Sequence, residues 1–111
     1  MSRFSPMPEP PYYAVIFSNQ MGSYTDGYGA MSDLMASMSA DEPGCIGIES
    51  TRDASGFGIT VSYWESEDTI KQWRENAKHR AAQLKGKMTW YDHYQLRVAK
   101  VERQYDGPQR R

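Results

Sequence analysis

The chain holds one cysteine, Cys45, in 111 residues. That excludes an intramolecular disulfide and a thiolate metal site, and it leads to the expectation of a reducing, cytoplasmic compartment. Charge of either sign is not in excess: thirteen Lys plus Arg against fourteen Asp plus Glu give a net charge of -1. Nothing global therefore draws the chain to nucleic acid or to an anionic membrane. No apolar run approaches the roughly 20 residues of a membrane span. A Gly-rich phosphate loop, a His-Glu-x-x-His pair and a nucleophile elbow are all missing. The two histidines, His79 and His93, have no acidic residue at a distinctive spacing, so no metal site is expected. Four prolines among residues 6–11, with no apolar stretch beside them, make residues 1–11 an extended lead-in and not a signal peptide.

What is present describes one globular domain, with 39% hydrophobic and 24% charged residues. Tyr12-Tyr13-Ala14-Val15-Ile16-Phe17 is aromatic and β-branched and reads as a strand, and its lack of alternation suggests burial on both faces. Ser18 to Gly29, with three glycines, has loop chemistry. Tyr28, Met31, Leu34, Met35 and Met38 recur at helical intervals, with Pro43-Gly44 as the stop. Residues 45–53 and 57–64 form a hairpin signal around Asp53-Ala54-Ser55-Gly56. Ser66 caps a second helix with Glu67 and Asp68 in its first turn. The helix carries Ile70, Trp73, Ala77, Ala81 and Leu84 on one stripe and ends at Gly86. The last strand runs from Tyr91 to about Tyr105. Either a bulge near Val98 or two differently buried faces would accommodate Tyr94, Leu96, Val98, Ala99 and Val101.

The order strand, helix, strand, strand, helix, strand predicts an α+β, ferredoxin-like split βαβ domain over residues 12–105, with 106–111 frayed. Its four-stranded antiparallel sheet would carry two helices on one face. The bare second face would expose Tyr or Phe, Ile and Trp, which predicts a homodimer.

Three segments carry a family resemblance: Pro43-Gly44-Cys45-Ile46-Gly47-Ile48-Glu49-Ser50, Tyr63-Trp64-Glu65-Ser66 through Trp73-Arg74-Glu75-Asn76-Ala77-Lys78-His79, and Trp90-Tyr91-Asp92-His93-Tyr94. The chain resembles the antibiotic biosynthesis monooxygenase superfamily of dimeric α+β barrels. The resemblance implies two subunits with their sheets face to face and a pocket between each sheet and its own helices. It also implies oxidation of a polyphenolic or other aromatic small molecule by O₂ without metal or flavin. The haem-degrading branch of that superfamily uses an Asn on the first strand, a Trp on the second helix and a His farther along it. Trp73 matches the Trp, while Gln83 stands where the His is expected, which disfavours haem chemistry.

Trp73 is either core packing or the wall of an aromatic pocket, and Trp64 has the same two readings. His93, beside Trp90, Tyr91 and Tyr94, and His79, off the helical stripe, are candidate bases, since an imidazole can take a phenolic proton near neutral pH. Tyr63, Tyr94 and Asn76 are candidates to hydrogen-bond a ligand, and Arg97 to steady an oxyanion, with ordinary structural roles as the alternative for each. Arg52 has the same two readings as Arg97, and Tyr13 the same as Tyr63. Cys45 reads as buried and inert. The leading functional expectation is a cofactor-independent monooxygenase. A non-catalytic dimer that binds a hydrophobic aromatic metabolite is the alternative.

Overall fold

A computed structural model describes residues 4–23, 41–83 and 91–108, with side chains in the helix described as far as Asn76. Its elements are β1 (Tyr12–Met21), β2 (Cys45–Arg52), β3 (Phe57–Trp64), α1 (Glu67–Gln83) and β4 (Tyr91–Val101). They form one antiparallel sheet in the order β2-β3-β1-β4.

The sequence predicts two helices on this sheet, and that expectation is corrected to one. Among the described residues a single helix, α1, packs on the sheet. The stripe Tyr28 to Met38 lies outside them. A second difference concerns β1, which runs four residues past the apolar segment through Ser18, Asn19, Gln20 and Met21. The reason is position: β1 is paired on both sides, with β3 and with β4, so its backbone groups are satisfied whatever side chains it carries. The last strand stops at Val101, short of Tyr105. Neither expected arrangement is found: no irregularity falls at Val98, and β4 is exposed on both faces from Asp92 to Lys100. The register shift falls instead at Gln20/Met21, opposite the start of β4.

The turn before β2 and the cap of α1 hold each other. Gly44 has φ of 91°, a conformation that disfavours a side chain, and a Cβ there would run into the Thr69 side chain. The Ser66 Oγ accepts the Thr69 N–H at 3.2 Å, and the Thr69 Oγ1 accepts the Ser66 N–H at 3.3 Å, a reciprocal cap. Glu65 N–H donates to the Gly44 carbonyl at 2.8 Å, tying the end of β3 to the same turn. Pro-Gly at the start of β2 and Ser-x-x-Thr at the start of α1 are thus one structural unit.

The lead-in is held too. Ser5 Oγ donates to the Ile48 carbonyl at 2.9 Å and accepts its N–H at 3.1 Å, so one hydroxyl occupies both groups that Ile48 offers at the edge of β2. The hydroxyl of buried Tyr12 donates to Gln104 at 2.5 Å, and Gln104 Nε2 donates to the Pro8 carbonyl at 3.0 Å.

Ser66→Ala should cost about 1 kcal/mol of stability, the usual value of a lost helix cap. Gly44→Ala should cost more, because it adds a steric clash to an unfavourable φ. Urea melts of the two variants check both the values and their order.

Candidate functional site

Residues directly opposite one another in an antiparallel ladder project to the same face. The pairs Tyr13–Trp64, Val15–Ser62 and Val15–Val98, Phe17–Leu96, Asn19–Gly58 and Asn19–Tyr94 therefore define one face. The pairs Ala14–Tyr63, Ala14–Ala99, Ile16–Val61, Ile16–Arg97 and Gln20–His93 define the other. Trp64 stacks on Trp73 of α1, with ring centroids 6.2 Å apart and planes at 25°, so the first set is the helix side.

This register divides the residues that sequence alone groups together. Trp64, Trp73 and Tyr94 lie on the helix side. Tyr63, His93 and Arg97 lie on the opposite side. His93 is exposed there, and its nearness in sequence to Tyr94 does not put it in the same setting, because neighbouring strand residues point opposite ways. The exposed Arg97 donates through Nη2 to Gln95 Oε1 at 2.6 Å. Tyr63 donates its hydroxyl to Glu49 at 2.6 Å, and burial, that bond and the Glu49 charge push its pKa up to about 12. It is a proton holder at any physiological pH. Asn76 donates to both Glu42 oxygens, at 3.1 and 3.2 Å, which braces α1 against the turn before β2. His79 belongs to α1, and its side chain lies outside the described residues.

The helix side carries two aromatic groups. Trp64 is fully buried and its Nε1 donates to Ser62 Oγ at 2.9 Å, while Trp73 is half-buried. Across β1, Phe17 meets Tyr91 at 5.4 Å and Tyr94 at 5.6 Å, and the two tyrosine rings lie 6.1 Å apart. The register shift at Gln20/Met21 makes this possible. It leaves Asp92 without a β1 partner and turns Tyr91 to the same side as Tyr94.

Asn19 stands on this face beside Tyr94 and is 2% exposed. Its Nδ2 donates weakly to the Phe17 carbonyl at 3.4 Å, and that contact sets the amide orientation. Its Oδ1 is the buried side-chain oxygen left without a partner among the described residues. Such an orphan acceptor ordinarily costs about 1–3 kcal/mol. On sequence alone Asn19 falls after the first strand, because Ser18-Asn19-Gln20 resembles loop. Its in/out alternation with Phe17 and Val15 is the signal that could have found it.

Cys45 is half-buried at the start of β2. Burial chiefly, and Glu42 in addition, push its thiol pKa up, against a lowering backbone hydrogen bond from Gly47. Among the described residues no group of three or more His, Cys, Asp or Glu could hold a metal ion, and no helix is long and apolar enough to cross a membrane.

Comparison with known proteins bears on the family and the fold. The family model described as antibiotic biosynthesis monooxygenase matches residues 28–85. The uncharacterized protein YqjZ of Bacillus subtilis (strain 168) is 53% identical over 104 residues, covering 94% of this chain and 91% of YqjZ. Among solved structures, a point mutant of SnoaB from Streptomyces nogalater, a cofactor-independent oxygenase, superposes with a TM-score of 0.69 at 8% identity. That match covers 84% of this chain and 95% of SnoaB. PA3566 of Pseudomonas aeruginosa superposes with a TM-score of 0.66 at 12% identity, over 89% of this chain and all of the other. At such identities the two structures bear on the fold alone.

Trp64→Ala should cost about 3–5 kcal/mol, as for a large buried aromatic, and Trp73→Ala clearly less; paired urea melts test the difference. For Cys45 the raised folded pKa adds stability below the ordinary thiol value, which is lost as pH rises through the folded pKa. Iodoacetamide should accordingly alkylate the native thiol more slowly than the urea-unfolded one near pH 9.0.

Proposed function

The chain belongs to the antibiotic biosynthesis monooxygenase family, and on that footing we propose that it oxidises a polyphenolic or other aromatic small molecule with O₂, using neither flavin nor metal. The observation that carries the reading is the unpartnered Asn19 Oδ1, buried on an aromatic-lined face. An acceptor left unsatisfied in the free protein is satisfied when a ligand brings a hydroxyl to it. Trp73 on one side and the Phe17, Tyr91 and Tyr94 cluster on the other offer flat surfaces to a fused-ring ligand, while Trp64 backs the indole from within.

The chemistry follows from what O₂ requires. A monooxygenase without an external reductant draws all the electrons from its substrate. A ring CH₂ becomes C=O with one oxygen atom, and the other oxygen leaves as water with both hydrogens. The step starts from the phenolate or enolate, because the neutral phenol is a poor electron donor. Binding to Asn19 fixes the ring, and the aromatic walls exclude water from it. Of the two imidazoles, His79 on α1 is our candidate base, since His93 projects from the far face. On that far face Phe57 and Ile59 are 43% and 36% exposed, which supports a second subunit covering it.

Asn19→Leu should leave the fold as stable or more stable, by about 1 kcal/mol, because it deletes a buried orphan. It should also weaken aromatic ligand binding by about tenfold. O₂ uptake by metal-stripped protein across a polyphenol panel tests the reaction. His79→Gln should slow it by about 10²-fold or more. An equal loss in His93→Gln would instead put the chemistry on the far face. Tight binding with no O₂ uptake in any condition would identify a non-catalytic dimer that binds an aromatic metabolite.

A further inference from the structure

β4 is an edge strand. Among the described residues it pairs with β1 on one side and with no strand on the other. It is also the longest strand, eleven residues, and exposed throughout except at its two ends. On its helix-side face Tyr94, Leu96 and Val98 are 43%, 55% and 48% exposed. An exposed apolar edge of this length is normally guarded against pairing by charges. Here the charges are arranged so that the strand complements itself.

We infer that β4 pairs antiparallel with β4 of a second copy about a two-fold axis at Leu96, joining two sheets into one. This contact is separate from the sheet-face dimer proposed above. In this register Leu96 faces Leu96, and Tyr94 of each copy faces Val98 of the other, an aromatic and a β-branched side chain in a favourable cross-strand pair. Gln95 faces Arg97, and Asp92 faces Lys100, twice by symmetry. Asp92 is the residue that the register shift leaves without a β1 partner.

The neighbouring registers that keep each residue on its own face are worse. An axis at Arg97 opposes two guanidinium groups at the centre. An axis at Gln95 sets Arg97 against His93 and leaves Asp92 against Val98. The axis at Leu96 sets Leu96 against Leu96, Tyr94 against Val98 and Tyr91 against Val101, with Ala99 against His93 and no like charges directly opposed. It also closes, as an isologous contact must, and leaves no free β4 edge on which further copies could build.

Cross-linking reads the register directly. In a Cys45→Ala background, Leu96→Cys should form an intermolecular disulfide under mild oxidation, since paired Cα atoms in such a ladder lie about 4.5–5.5 Å apart. Tyr94→Cys mixed with Val98→Cys should give a cross-linked heterodimer, with far less product from either alone. Lys100→Glu should weaken the cross-linked association by about tenfold, and adding Asp92→Lys should restore it. The same cross-links should survive Ile59→Asp, which strikes only the opposite sheet face. Absence of both cross-links in variants with a native circular dichroism spectrum would overturn the proposal. So would cross-linking that Ile59→Asp abolishes, or a charge swap that fails to rescue.

Discussion

The pairing of β1 on both sides is the interaction on which the remaining geometry depends. Because β1 shares one ladder with β3 and another with β4, a single register decides which face every side chain of three strands occupies. A slip by one residue would exchange Phe17 and Asn19 for Ile16 and Ser18 on the helix side. The same double pairing lets a polar Ser-Asn-Gln segment continue as strand, and so places an amide where composition alone suggests a loop.

The helix side combines a costly polar group with stabilising apolar walls. Trp64 is a structural anchor whose one polar atom is satisfied by Ser62 two residues away. Asn19 is the reverse: almost inaccessible, yet with an oxygen that the described structure does not satisfy. Stability favours the first arrangement and opposes the second, and the ligand contact proposed for Asn19 would offset that cost. The far face differs in kind. There Tyr63 is locked to Glu49 and Arg97 to Gln95, while apolar Phe57 and Ile59 remain in solvent. That pattern suits a protein contact better than a reaction.

Much of this was legible in the residues. The hairpin turn at Asp53-Ala54-Ser55-Gly56, the Ser66 cap and the antiparallel sheet all follow from local rules: side-chain oxygens that reach nearby N–H groups, a positive φ at Gly56, and strict alternation in β3. The family resemblance rested on the same stretches, and Pro43-Gly44 is now seen to matter because it abuts Thr69. The candidate site was legible in part. Trp64, Trp73 and Tyr94 lie on one side, whereas His93, a neighbour of Tyr94 in sequence, and the other candidates Tyr63 and Arg97 lie on the opposite side. Period-two geometry separates them.

By itself, then, the sequence determined the strands, the capped helix and the chemical stock of the chain, because these depend on contacts within a few residues. Tertiary structure alone decided the partners of β1 and with them the sidedness of each side chain. It also decided the shift that brings Tyr91 round beside Tyr94, and the burial of Asn19 without a donor. Those outcomes arise between segments distant in the chain, where the register is selected by the packing of whole faces and not by the preference of any one residue.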